Sequence, residues 1–181
     1  WAHDLKQQSY HTLESQGVEL WGKSQTAQRW KIFRLGPFSH STLTIDGQLH
    51  NVKGVAKLVA RTTGAKPFAA IDLTAVFAGQ LTTAHRGFRW FPNGEILIQD
   101  ELTGLKPGAK VRWAMVTAAS ADCAGKTATL KQNEKSLHLD LSSPNKTSFT
   151  IESAEPPADD KLSAPNPKYR ILTIHTSADA D

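Results

Sequence analysis

The sequence predicts an all-β protein, an antiparallel β-sandwich with one short helix near the N-terminus. Three observations carry that class. Runs rich in β-branched and aromatic residues recur along the whole chain. Several of them alternate polar and apolar residues, the period of a half-buried strand. Gly, Pro and Asn separate them at short intervals, as in a sandwich of short strands. At 181 residues and 39% hydrophobic, with five Trp, the chain is large enough to bury a core as one domain.

The elements follow in order. Tyr10, Leu13, Gly17, Leu20 and Trp21 lie near helical spacing and predict one short helix, weakened by Gly17. Residues 29–35 alternate as a strand, as do residues 41–45, with Asp46-Gly47 as the turn that follows. Further strands are expected over residues 55–63, 68–77, 81–91, 95–102 and 111–118. Asn93-Gly94 between two of these runs is a strong hairpin signal, and Lys106-Pro-Gly108 marks the next turn. Weaker strands are expected over residues 127–131, 136–141, 148–151 and 170–175. Pro156-Pro157 and Pro165-Asn-Pro167 flank Asp159-Asp160-Lys161, which reads as an exposed loop. The last strand, 170–175, would want a return partner, which implies a domain cut short at residue 181 or lacking its final hairpin partner. The opening at Trp1, without Met or signal peptide, likewise reads as a piece of something longer.

Composition excludes several classes. A mean hydropathy of −0.38 and the lack of a long apolar run argue against membrane-spanning helices. The single Cys, Cys123, excludes an intramolecular disulfide framework and a Cys-rich zinc site. The net charge of +4 divides into +6 over residues 1–118 (14 basic, 8 acidic) and −2 over the remainder (7 basic, 9 acidic). That imbalance is an ordinary solvated surface, and neither a nucleic-acid nor a membrane partner is expected.

No Walker loop, dinucleotide Gly fingerprint, His-Glu-x-x-His or Gly-x-Ser-x-Gly elbow is present. On spacing alone, one Asp and one His 36 residues apart, Asp4 and His40, are no metal signature. Their surroundings add to this. Trp1-Ala-His-Asp-Leu5, Tyr10-His-Thr-Leu-Glu14, Arg29-Trp30 and His40-Ser-Thr-Leu-Thr-Ile-Asp-Gly47 follow one another in an order and spacing that resembles the heparinase II/III family of polysaccharide lyases. The likeness is greatest to its heparinase II branch. The segment at His40 matches the family's His-Asn-Thr-Leu signature, with Ser41 in place of Asn. His85-Arg-Gly-Phe-Arg89 and Ile96-Leu-Ile-Gln-Asp100 resemble the strands that follow. The likeness is dense over residues 1–60, moderate to residue 117 and thin beyond.

The resemblance implies a periplasmic or secreted lyase in which an N-terminal α/α toroid precedes β-sandwich material, this chain being the sandwich part. It divides the chain into a metal-site and cleft segment (1–63), sandwich strands (64–155), and a loop with a terminal strand (156–181). The implied substrate is an acidic polysaccharide cleaved by β-elimination: heparin or heparan sulfate, with alginate as the rival. That reaction needs a neutralised uronate carboxylate, a base for the C5 proton and an acid for the departing O4. The family's His and Tyr acid–base groups lie before the position of Trp1, so the resemblance puts no catalytic acid or base in this chain. It maps Asp4 and His40 onto metal ligands, with zinc as the metal and a third ligand upstream. The isolated chain is accordingly expected to be mostly metal-free.

Other residues divide between chemistry and packing. Tyr10 could hydrogen-bond a sugar in the cleft or sit in the core beside Leu13 and Trp21. Arg29 and Lys31 would share a strand face and could contact substrate oxyanions, with Arg34 pointing the other way. His3 is either a neighbour supporting Asp4 or an exposed side chain. His85, His138 and His175 show no convincing partners. Trp90 and Trp113 are expected in the sandwich core, with stacking on sugars as the alternative for an exposed ring. Cys123 reads as a free thiol in a loop. Asn145-Lys-Thr147 fits a glycosylation sequon. The rival to a lyase fragment is a β-sandwich that binds carbohydrate without catalysis.

Overall fold

Backbone hydrogen bonding in the computed structural model, which describes residues 1–5, 8–143 and 146–178, turns the alternating runs into antiparallel ladders. In chain order these are helix α1 (Tyr10–Ser15) and strands β1 (Leu43–Ile45), β2 (Lys57–Thr62), β3 (Phe68–Asp72), β4 (Thr83–Trp90), β5 (Ile96–Thr103), β6 (Lys110–Thr117), β7 (Ser120–Ala124), β8 (Thr127–Gln132), β9 (Lys135–Asp140), β10 (Phe149–Ser153) and β11 (Arg170–Ser177). The all-β expectation with one short helix holds. The chain separates into two units, Trp1–Leu49 with Ala109–Ala178, and His50–Gly108.

The first unit carries the sandwich. Its main sheet runs β1-β6-β11-β10, and a smaller sheet runs β7-β8-β9. Register places Met115 opposite Leu172 and Trp113 opposite Ile174, so these side chains share one face. That face meets Ala128 and Leu130 of β8, with Phe149, Leu137 and Leu139 completing the cluster. Leu130 and Leu172 are fully buried, and burying each contributes about 1.5–3 kcal/mol. The opposite face of the main sheet carries Ala114, Val116 and Ile171, covered by Leu5, Ala154, Phe33 and Tyr169. A third cluster joins Leu13, Val18, Leu20 and Ile32, with Leu35 and Leu162 beside it. Asn133 and Glu134 both adopt left-handed φ (51° and 61°), which makes the two-residue turn between β8 and β9 twist with its strands.

The second unit is an antiparallel meander, β2-β3-β4-β5. Asn93-Gly94 turns β4 into β5 as expected, with Gly94 at φ 88° and Phe91 N–H donating to the Glu95 carbonyl at 2.9 Å. Arg86 grips Asp100 across that hairpin through Nε–Oδ1 at 2.6 Å and Nη2–Oδ2 at 2.9 Å. No helix among the described residues is long and apolar enough to cross a membrane.

Several expectations need correcting. Residues 29–35 are not a strand but two 3-10 turns, Gln28–Lys31 and Phe33–Leu35, arranged around the fully buried Ile32. Arg29 and Lys31 therefore share no strand face. The helix stops at Ser15 because Gly17, at φ 80°, closes it: Gly17 N–H donates to Glu14 O and Val18 N–H to Leu13 O. Val18 then packs on Leu13, completing a Schellman end. Residues 74–77 leave strand β3 as a 3-10 turn. Strand β11 has partners on both sides, β6 and β10, so it does not lack a return strand. Trp90 is 57% exposed rather than core, whereas Trp113 packs half-buried against the sandwich cluster. Cys123 lies half-buried in β7, not in a loop. Asn145 of the sequon falls outside the described residues.

Candidate functional site

Asp4 and His40 meet. Pro37 starts a 3-10 turn over Pro37–Ser39, after which His40 is extended. Ser41 ties that segment to the N-terminal stretch. Its hydroxyl accepts from Val116 N–H at 3.0 Å and donates to the His3 carbonyl at 3.4 Å, while His3 N–H donates to the Val116 carbonyl at 2.8 Å. The next residue along, Asp4, thereby puts Oδ1 2.8 Å from His40 Nδ1. The same Oδ1 accepts Leu5 N–H at 2.9 Å.

The second ring nitrogen, Nε2, lies 3.0 Å from the Arg34 carbonyl, which only accepts, so Nε2 carries hydrogen and donates. The same holds at Nδ1: the Asp4 carboxylate beside it only accepts, so the ring bridges two acceptors, and a metal at Nδ1 would take the place of the hydrogen shared with Asp4. Nitrogen and carboxylate oxygen are both zinc donors, but they are two of the usual four. Among the described residues no group of three or more His, Cys, Asp and Glu converges. The chain fits half a metal site. His3 contributes to neither ligand; its ring lies 5.9 Å from that of Tyr169.

The Arg34–His40 stretch is braced from the 155–169 loop, in which Asp159 and Lys161 are exposed as expected while Asp160 turns to the protein. Asp160 Oδ1 accepts Leu162 and Ser163 N–H at 2.9 Å each, and Ser163 Oγ accepts Phe33 N–H at 2.8 Å. Burial pushes the Asp160 carboxyl up, but these hydrogen bonds outweigh it and hold the group below its ordinary range. Arg34 Nη2 donates to the Pro165 carbonyl at 3.0 Å and to Asn166 Oδ1, so Arg34 serves the fold.

Among the described residues, no hydrogen bond or ion pair joins the other candidates to the pair. Tyr10 opens α1 and is 37% exposed rather than core, its ring 5.6 Å from that of Trp21 and nearly perpendicular to it at 82°. Arg29 stacks its guanidinium 4.8 Å from the Trp30 ring centroid, and its Nε is buried with no hydrogen-bond partner. Lys31 is exposed. Among the described residues, no ion pair joins Arg29 or Lys31 to Asp4.

Sequence reasoning missed one network entirely. His175 does have a partner: Nε2 donates to Glu152 Oε1 at 2.5 Å. Arg112 donates to Glu152 Oε2 through Nε at 3.1 Å and Nη2 at 2.8 Å, and Thr173 Oγ1 reaches Oε1 at 3.2 Å. Burial alone would raise the Glu152 carboxyl; the hydrogen bonds and charges of Arg112 and His175 outweigh it and hold it low. Arg112 Nη1 is buried without a partner. Only the register of β6 on β11 and β10 on β11 brings these positions together, and nothing in the primary sequence reveals it. His138 likewise has a cross-strand neighbour, Thr129 Oγ1 at 3.1 Å.

The fold resembles that of heparinase III. Against the crystal structure of that protein the chain superposes with a TM-score of 0.64 at 16% identity, covering 82% of this chain and 23% of the other. The chain thus spans about a quarter of its structural relative's length. No protein-family profile and no curated protein matches the sequence.

Proposed function

We propose that this chain is the β-sandwich part of a longer polysaccharide lyase that cleaves a uronic-acid glycosaminoglycan of the heparin or heparan sulfate kind by β-elimination. The observation that supports it is the meeting of Asp4 with His40, inside a fold similar to that of heparinase III. In this reading Asp4 and His40 are two ligands of a zinc ion whose remaining ligands come from elsewhere in the parent protein. Bound there, the ion would supply fixed positive charge and tie the segment at residues 1–5 to the segment at His40.

The chain's own residues do the positioning. Arg34 O holds the His40 ring through Nε2–H, and Ser41 sets Asp4 beside Nδ1. Arg29 and Lys31 are the cations offered to carboxylate or sulfate oxygens of the polymer. Acid and base come from the upstream toroid. The same reading makes the parent a periplasmic or secreted protein.

The test uses the parent chain, with heparin, heparan sulfate, chondroitin sulfate and alginate offered in parallel and ultraviolet absorbance of unsaturated uronates as readout. Turnover of heparin or heparan sulfate that falls with Asp4→Ala or His40→Ala, together with loss of bound zinc in metal analysis, is the expected result. Turnover untouched by both substitutions, or none on any of the four polymers, overturns it.

A further inference from the structure

We propose that Tyr10 and Trp21 form a carbohydrate-binding platform for a pyranose ring that bears no negative charge, a neutral or amino sugar. This goes beyond the lyase reading and rests on different residues from the Asp4–His40 pair.

Trp21 is 62% exposed, so a large apolar ring is left in water rather than buried. Yet it is held in place. Its Nε1–H donates to Glu14 Oε1 at 2.9 Å, and its backbone N–H donates to Glu19 Oε1 at 2.7 Å. The Tyr10 ring stands against it nearly at right angles. Beneath them, the Schellman end of α1 fixes the spacing of helix and Trp21 segment through Leu13, Val18 and Leu20. The result is two rings at right angles, with the indole held by two hydrogen bonds before any ligand arrives, which lowers the ordering cost of binding.

The surroundings select the ligand. Among the described residues up to 49, the exposed large hydrophobic side chains are Trp1, Tyr10 and Trp21, so the aromatic patch is small and has a polar rim. Such a patch is too small for a protein helix or strand to dock with useful area. A pyranose is matched to it, having an axial C–H face to lie on an indole and equatorial hydroxyls for a rim. The rim includes the exposed Glu14 and Glu19 and the Tyr10 ring. Two carboxylates holding Trp21, Glu14 at the indole and Glu19 at the backbone, repel a uronate or sulfated ring and favour a neutral or protonated amino sugar.

The experiment is a tryptophan-fluorescence titration of this chain with chitotriose, its deacetylated trimer and trigalacturonate. The two hexosamine trimers are expected to perturb emission saturably, and trigalacturonate is not. Trp21→Ala should weaken binding at least about tenfold, and Tyr10→Ala several-fold, with circular dichroism and thermal unfolding verifying that each variant folds. Glu14→Gln keeps an acceptor for the indole N–H but removes the charge, so it should retain chitotriose binding and admit trigalacturonate. No response to either hexosamine trimer, a response that survives Trp21→Ala, or equal binding of trigalacturonate by the unaltered chain overturns the proposal. Failure of lyase activity in the parent would leave these outcomes unchanged, so the two readings fail separately.

Discussion

Replacing Glu152 by Ala removes the acceptor that balances Arg112. In the native chain Oε2 takes two N–H bonds from Arg112, and Oε1 takes His175 Nε2 and Thr173 Oγ1. The Arg112 side chain is only 15% exposed, so its charge would be left largely out of reach of water. Breaking a fully buried pair costs about 3–5 kcal/mol, and a solvent-exposed one about 0–1. With Glu152 itself 36% exposed, the cost falls between, at about 2 kcal/mol. For a unit of roughly 120 residues that is a fall in Tm of about 5–10 °C.

Thermal unfolding followed by circular dichroism, for native chain and variant over a pH series, supplies the assay. The pH sign is fixed by the lowered carboxyl. A group held below its ordinary value of 4.5 stabilises the fold above that value, and the stabilisation is lost as pH falls through the folded-state value. The gap in Tm should therefore be full at pH 7 and close only below about pH 4.5. A gap under about 2 °C at pH 7, or one of unchanged size near pH 3, would refute the reasoning.

Three further outcomes are expected. Ser41→Ala strips the acceptor from Val116 N–H and should lower the urea midpoint by an amount equivalent to about 1–3 kcal/mol, with Ser41→Thr restoring most of it. Gly54→Ala would bring a Cβ within 2.4 Å of the Ala75 carbonyl oxygen and 2.6 Å of Val76 Cα, both backbone atoms. Limited proteolysis should then cut the His50–Gly108 unit faster while sparing the sandwich. Cys123 has its thiol pushed up by burial and by Asp122, so iodoacetamide should modify it more slowly than glutathione at pH 8, with the rate rising as pH is increased.

The strands were legible where β-rich runs flank a turn signal, as β4 and β5 flank Asn93-Gly94. They were illegible where pairing overrides composition. The run Ser-Ala-Asp-Cys-Ala of β7 has weak strand propensity and becomes a strand because β8 lies beside it. Residues 29–35 mislead in the opposite direction. Their apolar positions are set by packing around Ile32 between two short 3-10 turns, which imitates alternation over so short a span. Trp90 is the last residue of β4, beside the turn into β5, and stays 57% exposed there. As for the site, the meeting of Asp4 and His40 came from motif likeness. The bridging hydrogen bonds of Ser41 could not be read without coordinates. The Arg112–Glu152–His175 network depends on strand register, a long-range property with no local signature.

The insertion point of the second unit carries a consequence for heredity and assembly. Asp46 N–H donates to the Lys110 carbonyl and Lys110 N–H to Asp46 Oδ1, each at 2.8 Å, so the chain leaves and rejoins the main sheet at one spot. To that sheet, everything from Gly47 to Ala109 is a single enlarged hairpin turn between β1 and β6. Stretching a turn of a few residues to about sixty costs only about 2–3 kcal/mol of closure entropy. A gene can therefore acquire, exchange or shed such a module without disturbing the register around it.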